Sequence, residues 1–243
     1  MNIRLDIAYD GSNYKGWQKQ DHAPSIQEEV EKAIKNSLGQ KTKLICAGRT
    51  DAGVHACGQV ANCIIETEIP ADKIKYWINN SLPGDIRILA SKNVEDRFHA
   101  RFDAKSKIYT YKIYNKRNMH PLYRNHYQEI YNRLDLETME RASEYFIGSH
   151  DFTSFSACLS PDTNTYRTID SIEIIDKFPV IEINYQAESF LRNQIRIITG
   201  TIIQVARGKI KLENLGWIFE ARDRSKAGPT LTGSGLYLVK VIY

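Results

Sequence analysis

The chain has 243 residues, 42% of them hydrophobic, with 33 Lys and Arg against 29 Asp and Glu, for a net charge of +4. This composition supports a packed core and excludes a disordered chain, and no run reaches the roughly 18 apolar residues of a membrane helix. The mild basic bias, with a pI of about 8.7, permits a polyanionic partner without requiring one. The four cysteines, Cys46, Cys57, Cys63 and Cys158, contain no C-x-x-C pair. They read as reduced thiols of a cytosolic protein rather than as zinc ligands or staples. The opening Met1-Asn2-Ile3-Arg4-Leu5-Asp6 alternates charge and apolar residues, unlike a signal peptide.

In chain order, Ile3, Leu5, Ile7 and Tyr9 alternate with polar or small residues and predict a half-buried strand, broken by Asp10-Gly11-Ser12-Asn13. Ser25 with Glu28 reads as a capping box for a helix whose stripe is Ile26, Val30, Ala33, Ile34 and Leu38, ended by Gly39. Strands follow near 43–46 and 59–65. Pro70 opens a helix with Ile74, Trp77, Ile78 and Leu82 inward, closed by Pro83-Gly84. Further strands lie at Ile86–Ile88 and 108–114. The second half offers a helix over 136–147, strands over 169–175 and 180–185, a long helix with Leu191, Ile195, Ile198, Ile202 and Val205, a short helix near 212–220, and a last strand over 236–242. The polar stretch 115–133, rich in Tyr, Asn and Arg, is the best crossover between halves. This vocabulary predicts an α+β fold with two similar sheets side by side, divided at 1–104 and 105–243.

The densest segment is Cys46-Ala47-Gly48-Arg49-Thr50-Asp51-Ala52-Gly53-Val54-His55-Ala56-Cys57-Gly58-Gln59-Val60. It lies between two strands and holds three glycines, which allow close approaches that other residues forbid. Taken alone, an Arg-Thr-Asp turn serves structure more often than chemistry. His55, four residues after Asp51, lacks a third neighbour for a metal site. His99 reads as structural or as an RNA contact rather than a general base. Tyr14, Lys15, Trp17 and Lys19 mix aromatic and basic groups, as an RNA contact or a solvated loop.

The Cys46–Val60 run resembles the catalytic motif of the tRNA pseudouridine synthase A family. Matching stretches run from end to end: Tyr9-Asp10-Gly11-Ser12 with Tyr14, Gly16-Trp17-Gln18, Leu82-Pro83-Gly84-Asp85-Ile86, and Phe98-His99-Ala100-Arg101-Phe102. Tyr109-Thr110-Tyr111, Asp151-Phe152-Thr153-Ser154-Phe155, Phe190-Leu191 with Arg196, and Gly235-Leu236-Tyr237-Leu238 continue the series. Three departures stand out: Cys63 replaces an aromatic, Pro229–Ser234 is looser than the common pattern, and Arg192-Asn193-Gln194 varies. None is expected to touch Asp51, Arg49, Tyr109 or Arg196.

The resemblance implies two α/β halves whose mixed, mainly antiparallel sheets form one extended sheet, helices on one side and an active-site cleft between them. The first half would carry the Asp loop, the second the substrate tyrosine and a partner arginine. It implies an isomerase converting uridine to pseudouridine at positions 38, 39 and 40 of the tRNA anticodon stem-loop, with no metal and no cofactor. Asp51 is then the nucleophile, attacking either the uracil ring or the sugar, and Arg196 pairs with this carboxylate, since a guanidinium favours its charged form. Arg49 would handle the RNA as the uridine flips out, and Tyr109 would stack on the uracil. Phe190 and Leu236 would line the apolar side of the pocket. By the same resemblance the protein is a cytoplasmic homodimer with one tRNA spanning both subunits. Two rivals stand beside this reading. A non-catalytic tRNA-binding protein could dispense with Asp51, and a metal-dependent phosphoryl hydrolase would want more carboxylates near it.

Overall fold

The period-two alternation near the N-terminus becomes β1 (Asn2–Tyr9), with Ile3, Leu5 and Ile7 fully buried. In the computed structural model, which describes residues 1–160 and 162–243, the chain divides into two units, 1–107 with 237–243, and 108–236. Tyr237–Tyr243 therefore joins the first unit rather than the second half.

The first unit continues with α1 (Ile26–Leu38), β2 (Ile45–Cys46), β3 (His55–Ile64), α2 (Ile74–Asn79) and β4 (Ile86–Val94). Ser25 Oγ accepts the Glu28 N–H at 3.4 Å, and Gly39 closes α1 at φ 72°. Glu28 instead turns its carboxylate toward Lys32, 3.5 Å away, so only half of the capping box forms. β1 lies antiparallel between β3 and β4, pairing Leu5 with Ala61 and with Ser91. Pro70 opens a turn rather than the helix itself, the Lys73 N–H reaching its carbonyl, and α2 begins at Ile74. Ile74 and Ile78 are buried, whereas Trp77 is 51% exposed. One six-residue helix presents a stripe too narrow to bury all four expected positions.

The second unit contains most of β5 (Ser106–Tyr114), then β6 (Gln128–Glu129), α3 (Leu136–Glu144), β7 (Gly148–Asp151), β8 (Tyr166–Lys177), β9 (Val180–Ala187), α4 (Gln194–Ala206) and α5 (Asn214–Ala221). Its strands run in the order β5-β9-β8-β7, with β6 alongside β5. β8 and β9 form a long antiparallel hairpin. β6 and β7 were not foreseen. α4 starts at Gln194, so Leu191 precedes it. The chain ends in β10 (Leu236–Ile242), which pairs in parallel with β3 through Tyr237–His55 and Leu238–Ala56. The class is α+β with mixed, mostly antiparallel pairing. Among the described residues no helix is long and apolar enough to cross a membrane.

Candidate active site

The Asp51 loop is shaped by backbone rather than by side chains. It leaves β2 at Cys46 and enters β3 at His55. The segment 10–17 lies directly against it. The Trp17 N–H donates to the Thr50 carbonyl at 3.0 Å, and the Gly53 N–H donates to the Tyr14 carbonyl at 3.2 Å. Two glycines make this approach possible. A Cβ on Gly16, whose φ is +100°, would stand 2.5 Å from the Thr50 oxygen, and one on Gly11 2.0 Å from the Val54 oxygen. Both distances are sterically closed to any other residue.

Side chains finish the clamp from below. Tyr9 and Thr50 share a buried 2.8 Å hydrogen bond, and burial pushes the Tyr9 phenol well up, so it stays a neutral donor or acceptor. Gln59 Nε2 donates to the Gly48 carbonyl at 2.7 Å. His55 Nδ1 lies 3.2 Å from the Gly11 N–H and 3.1 Å from Asp10 Oδ1, and its ring stacks on Tyr237 at 4.6 Å. His55 thus ties the 10–17 segment to β3. Asp51 is left half-buried and Arg49 exposed at the loop's outer surface.

Trp17 and Tyr14 are only 1% and 7% exposed. They are packing residues behind the loop, not a solvated RNA contact, and the Tyr14 hydroxyl is spent on Asp85 at 2.7 Å. His99 is structural too. Its Nδ1 accepts the Arg101 and Phe102 N–H groups, and its ring stacks on Phe102 at 4.2 Å.

In the second unit, Tyr109 on β5 is buried and meets Phe190 edge to face, with centroids 5.4 Å apart at 85°. Leu236 is buried as well. Tyr111 is pure core; its hydroxyl donates to the Thr232 carbonyl at 2.9 Å. Arg196 sits in the first turn of α4. Its Nε donates to the Leu231 carbonyl at 2.7 Å and its Nη1 to Asn193 Oδ1 at 2.9 Å. These two bonds fix the direction of the guanidinium fork, an orientation that a lysine could not hold.

The 228–231 segment reaches Arg196 through a second glycine crossing. A Cβ on Gly200 would lie 2.0 Å from the Pro229 oxygen, and one on Gly228 2.6 Å from Thr201 Cα. Thr201 Oγ1 also accepts the Gly228 N–H at 2.9 Å. Pro229–Ser234, whose pattern looked loose, is therefore pinned where it passes α4. Asn193 and Leu231 lie in stretches expected not to touch Arg196, yet both hold it, and Gly11, Gly16 and Thr50 were not singled out as supports either. Four glycines near the motifs were the only available sign of it.

The fold and the loop define an α+β scaffold that presents a carboxylate from a glycine-lined turn. A model of the family described as tRNA pseudouridine synthase matches residues 7–103 and 142–243. The chain is 46% identical over 242 residues to the tRNA pseudouridine synthase A of Thermoanaerobacter sp. (strain X514), covering 100% of this chain and 99% of the relative. It is 44% identical to the same-named proteins of Acetivibrio thermocellus and Caldicellulosiruptor bescii, at the same coverage of both partners. The chain belongs to the tRNA pseudouridine synthase family.

Proposed function

We propose that this protein is an isomerase that converts uridine to pseudouridine in tRNA, at positions 38, 39 and 40 of the anticodon stem-loop. The carrying observation is end-to-end similarity to relatives named for that reaction, joined to a loop whose packing leaves Asp51 as its half-buried carboxylate. In this reading Asp51 forms a covalent bond to the uridine, either at the uracil ring or at C1′, and the N1–C1′ bond breaks. The base turns, C5 bonds to C1′, Asp51 departs, the C5 proton leaves to solvent and N1 takes up a proton in its place. Bonds and electrons balance without an oxidant or reductant.

Arg196 serves as ion-pair partner of Asp51, its fork pre-oriented by Leu231 and Asn193. Tyr109 stacks on the extruded uracil, with Phe190 and Leu236 on the apolar side. Base–aromatic stacking contributes roughly 1–3 kcal/mol. Arg49, exposed beside Asp51, contacts the displaced RNA. The protein acts as a homodimer in the cytoplasm, where two chains double the positive field offered to one tRNA.

Tritium release from tRNA labelled at uridine C5 tests the assignment. Release by the wild type and its loss in Asp51→Ala are expected. No release by the wild type would sink the reaction, and full activity in the variant would sink Asp51. Retained tRNA binding without any release would favour the non-catalytic alternative.

A further inference from the structure

The segment 115–133 leaves β5 and returns beside it as β6, pairing Ile113 with Gln128 and Tyr114 with Glu129. One buried residue closes its base. Asn115 Nδ2 donates to the Ile130 and Asn132 carbonyls at 3.0 and 2.7 Å, and its Oδ1 accepts the Leu134 N–H at 2.9 Å. Above this base the chain carries four cations, Lys116, Arg117, Arg124 and Arg133, against the single carboxylate of Glu129. That is an excess of three charges, where the whole chain has an excess of four. Glu129 is turned inward, accepting the Met119 N–H at 3.0 Å. Among the described residues Lys116, Arg117 and Arg124 form no ion pair, and all three are exposed.

Aromatic rings are gathered in the same place. Tyr123 packs against Tyr127 at 5.5 Å, His120 at 5.8 Å and Tyr114 at 6.4 Å. A cluster of this size would ordinarily be buried, yet Tyr123 is 46% exposed and His120 is exposed. His120 and Tyr123 flank a 3-10 turn, Pro121–Tyr123, capped by His120 Nδ1 accepting the Leu122 N–H at 3.3 Å. Exposed aromatic faces interleaved with unpaired cations fit a polyanion that carries flat bases. A protein partner would have to supply matching carboxylates for three uncompensated cations, whereas a phosphate backbone offers its charges at every nucleotide.

We propose that residues 116–127 form a second RNA contact of this enzyme, taking a part of the tRNA other than the target uridine. Lys116, Arg117 and Arg124 meet phosphates, and an unpaired or end-stacked base lies on Tyr123 and His120. The proposal rests on tRNA being the substrate. It lies between the two stretches matched by the family model, 7–103 and 142–243.

The test measures equilibrium binding of labelled tRNA to the full-length protein, independent of chemistry, with tritium release run in parallel. Arg117→Glu with Arg124→Glu should weaken binding by about 10- to 100-fold and lower the slope of log affinity against log salt by about two. At saturating tRNA the turnover should stay within about threefold of wild type. Tyr123→Ala should weaken binding by about 5- to 100-fold with little change in salt slope, and Tyr123→Phe should restore it. Binding within about twofold of wild type for both the charge reversal and Tyr123→Ala would overturn the proposal. A Tyr123→Phe protein as weak as Tyr123→Ala would overturn the stacking. If Tyr123→Ala melts early, the charge reversal on exposed side chains decides alone. An altered oligomeric state by light scattering with unchanged tRNA affinity would assign the surface to a second copy and overturn it as well. Wild type that binds tRNA through this surface yet releases no tritium would refute the proposed reaction and leave this contact standing.

Discussion

Two loops of similar polarity, 46–55 and 115–133, are built in opposite ways. The first is gripped by another stretch of backbone, which touches Thr50 and Gly53 through gaps that only Gly11 and Gly16 leave open. The second is closed at its base by Asn115 and paired along β5 at Gln128 and Glu129, and the stretch before that pairing carries charge and rings outward. A nucleophile must be held to within a fraction of an ångström, and backbone contact provides that. A surface that follows a flexible polyanion needs reach and charge more than precision. Arg196 belongs with the first kind, since a glycine crossing at Gly200 and Gly228 delivers the carbonyl that orients it.

The contrast breaks most sharply at Asp51. Asp51→Ala should lower tritium release by on the order of 10³-fold or more, with tRNA affinity within about threefold, because in the proposed reading this carboxylate forms a bond and does not hold the RNA. Arg196→Lys comes next. It keeps the charge but loses the fork held by Leu231 and Asn193, and kcat should fall by on the order of 10²-fold with KM little changed.

Gly16→Ala tests the grip itself. The added methyl meets the Thr50 oxygen in left-handed backbone, so stability should fall by about 3 kcal/mol and Tm by roughly 6–12 °C in a thermal melt. Asn115→Ala should cost about 2 kcal/mol by leaving the Ile130, Asn132 and Leu134 backbone groups unpaired. Amide exchange should then quicken within 115–134 while turnover at saturating tRNA stays near wild type.

The smallest effect is chemical. Burial pushes the Cys46 thiol up to about 11 and the Cys63 thiol up to about 12, while Cys57 and Cys158 are exposed. A thiol-selective reagent at pH 8 should label Cys57 and Cys158 in the native protein and all four cysteines after denaturation. These raised values stabilise the fold fully below the ordinary thiol pKa of 9.0. Above it the unfolded chain ionises first, so stability should decline between about pH 9 and 12.

Much of this was legible in the sequence where one local rule decided the outcome. Alternation fixed β1, Ser25 and Gly39 bounded α1, and Leu236–Ile242 was readable as the last strand. Reading failed where a distant partner decided. Trp17 and Tyr14 looked like loop aromatics beside lysines, yet their burial depends on the Asp51 loop folding over them. Trp77 shared a helix stripe but found no surface to cover it. β6 and β7 are two and four residues long, too short for periodicity to register, and exist because β5 and β8 offer edges. The Asp51 motif was visible as a pattern. The reason Gly11 and Gly16 accompany it was not, because a glycine contributes only the space it leaves.

The placement of β10 has a consequence for biosynthesis. Tyr237 and Leu238 pair with His55 and Ala56, at the strand that follows the Asp51 loop. During translation the first unit emerges early but lacks this neighbour until the whole second unit has left the ribosome. The nascent chain therefore carries an incomplete sheet edge at the strand that follows the Asp51 loop, and residues 237–243 are the ones that close it.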